Sequence, residues 1–135
     1  HSAECGIDVF RVFDALNDLR NLTVSIEAVK KAGKHAQGTI CYTVSPVHTI
    51  GSFVEQAREL AAMGCDSITI KDMASLLTPM VAGDLVKALV DAVDLPIHLH
   101  SHATSGLAEM CHLKAIENGC RHIDTAISSL GQPTL

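Results

Sequence analysis

The stretch Ser67-Ile68-Thr69-Ile70-Lys71-Asp72 decides the fold class, because it predicts a strand with two different faces. Side chains alternate along a strand, so Ile68 and Ile70 share one face while Ser67, Thr69 and Lys71 share the other. We expect the isoleucines to pack against helices. Lys71 then lies on the opposite face, at the end of the strand.

The same strand-then-helix unit recurs along the chain with a period of roughly thirty residues. Runs rich in β-branched residues begin near Ile7, Thr39, Ser67, Ile97 and His122. A helical pattern follows each of the first four runs. Sequence signals mark several helix boundaries: Gly33, Gly64 and Gly119 as ends and Thr78-Pro79 as a start. This order predicts a parallel α/β sheet with right-handed crossovers.

Polar residues follow every predicted strand, which is typical of a (βα)8 barrel with its site at the carboxyl ends of the strands. An open doubly wound sheet is the alternative, but the chain has no Gly-rich phosphate-binding turn after a strand. A complete barrel needs about 250 residues, whereas this chain has 135. We therefore expect a partial TIM-type (βα)8 barrel of about five strands and four helices.

The composition excludes several classes of partner. The net charge is −5, aromatic residues make up 3% of the chain and there is no Lys/Arg run, so nucleic acid is not an expected partner. No apolar stretch approaches the length of a membrane span. The five cysteines are widely spaced and predict reduced thiols in a cytoplasmic protein.

Three histidines, His98, His100 and His102, have alternate positions on a predicted strand and share one face. Neighbouring imidazoles at a strand end can bind one divalent metal ion such as Zn²⁺. The alternative is a polar strand end with solvated or hydrogen-bonded histidines. His98 lies deepest, so we expect it to lie outside the ligand set.

Lys71 has three possible roles on the lumen face. It can be a Schiff-base amine, a partner of Asp72, or a lysine converted to a carbamate that ligates metal through oxygen. Arg11 shares the parity of Val9 and Phe13 and offers a planar fork for a substrate carboxylate. A structural pair of Arg11 with Asp14, or with a carboxylate of another strand, is equally compatible with the sequence.

Two further residues follow the second predicted strand. Tyr42 can donate a hydrogen bond to a substrate or be half-buried packing, and Cys41 is expected to be a core thiol. The other cysteines and the histidines away from the strand ends are expected to pack or to face solvent: Cys5, Cys65, Cys111, Cys120, His1, His35, His48, His112 and His122.

Four ordered motifs resemble the carboxyltransferase domain of biotin-dependent enzymes, namely the oxaloacetate decarboxylase alpha subunit, pyruvate carboxylase and transcarboxylase. The motifs are Asp8-Val9-Phe10-Arg11-Val12-Phe13-Asp14, Gly38-Thr39-Ile40-Cys41-Tyr42-Thr43, Ile70-Lys71-Asp72-Met73-Ala74 and His98-Leu99-His100-Ser101-His102-Ala103-Thr104-Ser105-Gly106. The likeness covers essentially the whole chain. It implies metal-dependent carboxyl transfer between oxaloacetate or pyruvate and biotin.

The resemblance also implies roles for individual residues. The carbamylated lysine falls on Lys71, the metal histidines on His100 and His102, and the carboxylate-binding arginine on Arg11. The metal is expected to be Zn, Mn or Co, and biotin is expected on a separate carrier domain or subunit. Residues 1–135 would cover strands four to eight of the barrel. The N-terminal strands, a metal-ligand Asp and a proton-shuttling Thr would lie outside them.

Three departures from the family pattern favour particular branches or limit the match. Ala103 stands where pyruvate carboxylases have Asp, which favours an oxaloacetate decarboxylase or transcarboxylase. Ser75 replaces the usual Gly, and the loop at Ser128–Pro133 is shorter than expected.

A related aldol-type lyase or synthase remains an alternative, as does an inactive binding or assembly segment. The resemblance further implies a homo-oligomer, with membrane-complex subunits if it is a decarboxylase. The chain alone is expected to associate through unpaired strand edges.

Overall fold

The structure, a computed structural model, describes residues 1–127. The predicted loop at Ser128–Pro133 lies outside the described residues. Strands and helices alternate along the chain, with one 3-10 turn at Leu19–Asn21 ahead of the first helix. The elements in chain order are β1 Val9–Val12, α1 Thr23–Lys31, β2 His35–Cys41, α2 Ile50–Ala62, β3 Ser67–Asp72, α3 Pro79–Ala92, β4 Ile97–Ser101, α4 Ala108–Glu117 and β5 His122–Ile123.

The five strands form one parallel sheet in the order β1-β2-β3-β4-β5. Each pair of neighbouring strands is joined through a helical connection, as parallel pairing requires. The prediction of an α/β parallel sheet of the (βα)8 type, with five strands and four helices, is therefore confirmed for residues 1–127.

Two strand starts differ from the sequence prediction. β1 begins at Val9 rather than near Ile7, and β2 begins at His35 rather than near Thr39. The earlier start of β2 has a tertiary cause, because the backbone N–H of His35 donates to the carbonyl of Asp8 over 3.0 Å. The Asp66 carboxylate also accepts from the backbone N–H of Ala36 at 2.8 Å. These partners are distant in sequence and draw a polar segment into the sheet.

The predicted helix ends are confirmed by backbone geometry. Gly33, Gly64 and Gly119 have φ values of +68°, +89° and +101°, the left-handed conformation that ends a helix. Thr78 is the residue before α3 and Pro79 is its first residue, as predicted. The Thr78 hydroxyl, however, makes no capping hydrogen bond within the described part of the chain.

The hydrophobic core lies between one face of the sheet and the helices. Ile68 and Ile70 are fully buried in it, which confirms the predicted parity of β3. Helix α2 and the turn after it approach β2 closely at Gly38, where a Cβ atom would lie 2.8 Å from Cys65 Sγ and 3.0 Å from Leu60 Cδ2. A larger residue there would therefore require the Cys65 and Leu60 side chains to shift.

The other face of the sheet is polar and curves around its own side chains. Gln37, Thr39, Ser67 and Thr69 are buried on this face. Arg11 of β1 reaches Asp124, which directly follows β5, so a side chain of the first strand meets that of the residue after β5. That contact requires a strongly curved sheet, as expected for a barrel wall. We call this polar face the lumen face.

All five cysteines are free thiols, and all but Cys5 are buried. Burial raises the pKa of the Cys65 thiol to about 11. Its thiolate is therefore scarce near neutral pH, and the residue has the packing role predicted for it. Over residues 1–127, no helix has both the length and the apolar character needed to cross a bilayer.

Candidate active site

Four of the predicted site residues lie on the lumen face near the carboxyl ends of the strands. Lys71 near the end of β3 lies opposite His100 of β4 in the strand register. His102 follows β4, and its backbone N–H donates to the Asp72 carbonyl over 3.1 Å. Arg11 lies near the end of β1. We call the end of the sheet that carries these residues the rim.

His100 and His102 are adjacent on the rim. Their ring centroids are 5.1 Å apart and their planes are inclined by 75°. The Nδ1 atom of His100 lies 2.9 Å from Oδ2 of Asp124. A carboxylate oxygen accepts, so Nδ1 is the donor in this contact, and a neutral imidazole with that tautomer has its lone pair on Nε2. His100 is thus prepared to bind a ligand through Nε2.

Lys71 does not pair with Asp72, contrary to one of the predicted alternatives. Its ammonium nitrogen lies 3.7 Å from the centroid of the Phe13 ring, and the described residues offer it no carboxylate within ion-pair distance. Asp72 is directed away from it because β3 side chains alternate. The Asp72 carboxylate accepts instead from the backbone N–H groups of Leu76 and Leu77, each at 2.9 Å.

Arg11 is held by two protein acceptors. Its Nε donates to Oε1 of Gln37 at 2.6 Å, and its Nη1 donates to Oδ2 of Asp124 at 2.5 Å. This is the structural pair with another strand's carboxylate that the sequence left open. Asp14 does not take part, because its carboxylate accepts from the backbone N–H groups of Leu16 and Asp18.

Asp124 is the rim residue that sequence reasoning missed. Burial opposes its ionisation, but hydrogen bonds from Arg11 and His100 outweigh burial and hold the pKa of its carboxyl below the usual value. The signal was present, because Asp124 lies in the predicted strand that begins near His122 and shares the parity of His122. A polar residue at that place on a barrel strand belongs to the rim.

Tyr42 is not brought together with the other predicted site residues. Its ring packs on Phe53 of α2, with ring centroids 5.6 Å apart. Burial, followed by the nearby Asp72 and Cys111, raises the pKa of the Tyr42 hydroxyl. The residue shares the parity of the core residue Ile40, so its placement matches the packing alternative rather than substrate contact.

Cys41 is buried on the same side of the sheet as Lys71 and is held by Asn17. The Asn17 side chain donates to the Cys41 carbonyl and accepts from its backbone N–H, each at 2.8 Å. Burial raises the pKa of the Cys41 thiol against the opposing effect of Lys71. The expected core-thiol role of Cys41 agrees with this environment.

His98 lies below the rim and stacks on His122, with ring centroids 4.3 Å apart and planes inclined by 10°. Burial and then the neighbouring His122 lower the pKa of His98, so it is neutral near pH 7. The remaining histidines have local partners or pack: His1 with Glu4, His35 with Ser67, His48 with Ser45, and His112 half-buried on α4.

The rim residues fit the divalent cation that the resemblance implies. Two imidazoles lie side by side, one has its Nδ1 satisfied by a carboxylate, and a lysine without a carboxylate partner in the described chain lies on the next strand. Imidazole nitrogen and carboxylate-type oxygen suit Zn²⁺, Mn²⁺ and Co²⁺. Residues 1–127 contain no cluster of three or more His, Cys, Asp or Glu side chains that could hold a metal ion. The predicted ligand set has only two residues of those types, His100 and His102, because its third member is Lys71.

Three rim loops each contain one non-glycine residue in the left-handed conformation. Asn17, Ser75 and Ala103 have φ values of +58°, +53° and +61°, and they follow β1, β3 and β4 respectively. The Ser75 hydroxyl accepts from the backbone N–H of Thr104 at 2.9 Å, which joins the loop after Lys71 to the loop after His102.

Replacing Ser75 separates the cost of this backbone conformation from the gain of its hydrogen bond. Ser75→Ala keeps the strained φ and loses the bond, so we expect about 1 kcal/mol lower stability. Ser75→Gly loses the same bond but relieves the strain, so it should be about 1 kcal/mol more stable than Ser75→Ala. Urea denaturation of the two variants of the intact protein measures the difference. Equal stability would show that φ at this position carries no strain.

A curved parallel sheet with helices on one face and a polar lumen face on the other defines part of a (βα)8-type barrel. Comparison with known proteins agrees, since a family model described as HMGL-like matches residues 13–134. The chain belongs to the HMGL-like family.

Relatives of this chain are carboxylases and carboxyltransferases, which confirms the resemblance predicted from the motifs. It is 57% identical over 131 residues to a pyruvate carboxylase subunit of Methanocaldococcus jannaschii, covering 97% of this chain and 23% of that protein. It is also 57% identical to the methylmalonyl-CoA carboxyltransferase 5S subunit of Propionibacterium freudenreichii, covering 96% of this chain and 26% of that protein. The chain thus spans about a quarter of the length of these curated relatives.

A solved structure of the carboxyl transferase domain of Rhizobium etli pyruvate carboxylase superposes with a TM-score of 0.93. It is 41% identical to this chain and covers 96% of it, and the chain covers 23% of that structure. A related structure carries the same domain with pyruvate and biocytin.

Proposed function

We propose that the intact protein containing this chain transfers a carboxyl group between oxaloacetate or pyruvate and biotin. The observation that carries the proposal is the contact of Asp124 with both His100 and Arg11, with Lys71 opposite His100 in the strand register, in a chain whose relatives are carboxylases and carboxyltransferases. Ala103 favours the oxaloacetate decarboxylase or transcarboxylase branch of this reaction. The 57% identity to a transcarboxylase relative supports that branch, and the equal identity to a pyruvate carboxylase relative supports the other.

In this proposal His100 and His102 would hold a divalent cation through imidazole nitrogen, and Lys71 would hold it as a carbamate through oxygen. A cation bound there supplies Lewis acidity that favours negative charge on a substrate oxygen. Asp124 holds the ring of His100, and the hydrogen bonds accepted by Asp72 fix the loop that follows Lys71. Among residues 1–127 the acceptors of Arg11 occupy Nε and Nη1, so Nη2 would be the group that binds a substrate carboxylate.

We further infer that residues 1–135 form one part of a longer barrel domain. Helix α4 exposes Met110, Leu113 and Ile116 to about half of their surface, and these three lie at helical spacing. A further strand-helix unit packed on α4 would cover them.

The free thiols are typical of a cytoplasmic protein. Biotin would be supplied by a carrier domain or subunit, and a homo-oligomer or a membrane complex belongs to the same proposal.

The experiment is a carboxyl-transfer assay with the intact protein, oxaloacetate and free biotin or biocytin. We expect pyruvate to form in a biotin-dependent manner. Activity should be lost after removal of divalent metal with a chelator and restored by Zn²⁺, Mn²⁺ or Co²⁺. A rate of pyruvate formation that is unchanged by biotin and by the chelator would contradict the proposal. An aldol-type reaction on an acyl substrate without biotin would favour the related lyases or synthases.

A further inference from the structure

Arg11, Asp124 and His100 form a continuous hydrogen-bonded triad of side chains across the lumen face. Oδ2 of Asp124 accepts from both Nη1 of Arg11 and Nδ1 of His100, at 2.5 and 2.9 Å. Less than a third of each side chain is exposed, so water competes weakly for these bonds. This triad joins β1, β4 and the residue that follows β5.

We propose that Asp124, held in place by Arg11, is a positioning residue that fixes His100 with its Nδ1 protonated and its Nε2 presented to a divalent cation. This inference rests on the proposed function for the identity of the ligand. It goes beyond that function by giving Arg11 a task other than binding substrate and by giving Asp124 a task of its own.

The geometry explains why this task needs two residues. A neutral imidazole has one protonated nitrogen, and a carboxylate at Nδ1 selects the form in which Nε2 can ligate. Asp124 accepts from Arg11 with the same oxygen, so the guanidinium restrains that oxygen beside the His100 ring. Gln37 in turn holds Nε of Arg11 at 2.6 Å, which fixes the guanidinium.

The test measures Co²⁺ affinity of the intact protein by competition with a chromophoric chelator. Loss of a carboxylate behind a ligating histidine typically lowers metal affinity by about 10–100-fold. We expect a loss of that order in Asp124→Asn, about tenfold in Arg11→Gln, and partial recovery in Asp124→Glu, which keeps the carboxylate. The matched control is Asp91→Asn on α3, where the exposed carboxylate pairs only with Lys87 in the described structure.

A double variant separates positioning from general loosening of the fold. If Arg11 acts through Asp124, then Arg11→Gln combined with Asp124→Asn should bind Co²⁺ no more weakly than Asp124→Asn alone. Fully additive losses would overturn the inference. So would a Co²⁺ affinity of Arg11→Gln within twofold of wild type, whatever happens to the KM for oxaloacetate. Thermal melts identify any variant that fails to fold. If either Arg11→Gln or Asp124→Asn fails to fold, the Co²⁺ affinity of the other single variant decides the test.

A second readout does not depend on the metal. Spectra of ¹⁵N-labelled histidine in the metal-free protein at pH 8, assigned with His100→Gln, report which ring nitrogen of His100 is protonated. We expect Nδ1–H in wild type and a mixed state in Asp124→Asn. If the wild type binds no Co²⁺ and transfers no carboxyl group, the proposed function fails. A wild-type His100 protonated on Nε2 overturns the positioning role by itself.

Discussion

Replacing Lys71 with alanine in the intact protein is expected to lower kcat/KM for carboxyl transfer from oxaloacetate by about 10³-fold or more. The variant loses the oxygen ligand that a carbamylated lysine would provide, and Lewis-acid stabilisation of transition-state charge contributes several kcal/mol. The measurement is pyruvate formation with biotin at saturating Zn²⁺. The matched control is Lys87→Ala on α3, whose exposed ammonium pairs with Asp91 and should leave activity unchanged.

A second substitution separates the carbamate from the positive charge of Lys71. Lys71→Arg keeps a cation beside the Phe13 ring but cannot form a carbamate. We expect it to be as inactive as Lys71→Ala. Both variants should stay folded, because the contact of Lys71 with Phe13 contributes about 0.5–2 kcal/mol. An active Lys71→Arg, or an alanine variant within tenfold of wild type, would exclude Lys71 as a ligand.

Replacing Asp72 with alanine is expected to lower the free energy of unfolding by about 3 kcal/mol, because hydrogen bonds to a charged acceptor contribute about 1.5–3 kcal/mol each. The Asp72 carboxylate is 1% exposed and accepts from two backbone N–H groups, those of Leu76 and Leu77. Asp72→Asn keeps one acceptor oxygen and should lose about half as much. Denaturant unfolding of the intact protein measures both changes.

The control for Asp72 is Asp91→Ala, which removes a carboxylate from an exposed ion pair on α3. Such surface pairs are worth about 1 kcal/mol or less. If Asp72→Ala were no more destabilising than Asp91→Ala, the loop after β3 would not depend on the carboxylate. Asp72 itself does not lie on the lumen face. Its replacement therefore tests the stability of the loop after β3 without removing a proposed metal ligand.

Local sequence signals predicted most of the architecture. The helix ends at Gly33, Gly64 and Gly119 depend on the conformational freedom of a single residue, so they can be recognised without knowing the fold. The parity of Ile68, Ile70 and Lys71 is also local. It places each side chain on the correct face before any partner strand is known.

The start of β2 was not predictable in the same way. His35 and Gln37 are polar, and they enter the sheet because of partners on other elements. Gln37 lies between Arg11 of β1 and Ser67 of β3, and His35 also contacts Ser67. A single sequence does not show which strands are neighbours, so it cannot show that these polar groups find partners when buried.

At the site, residue types were easier to identify than pairings. Motifs pointed to Lys71, His100 and His102, whose roles as ligands remain predictions. The bonds of Arg11 depend on how far the sheet curves, because Asp124 lies beyond the last strand. The position of Tyr42 could have been found, since its parity with Ile40 directs it to the helix side. Packing was one of the two alternatives for Tyr42, and this parity favours it over substrate contact.

The left-handed residues at Asn17, Ser75 and Ala103 restrict how this protein can be engineered. Mutant libraries that aim to change substrate range would naturally randomise the loops around Lys71 and His102. Glycine, asparagine and aspartate adopt positive φ most readily, whereas β-branched residues there would distort the backbone. A library confined to those three amino acids at positions 17, 75 and 103, with full diversity at the neighbouring codons, would therefore retain many more folded clones.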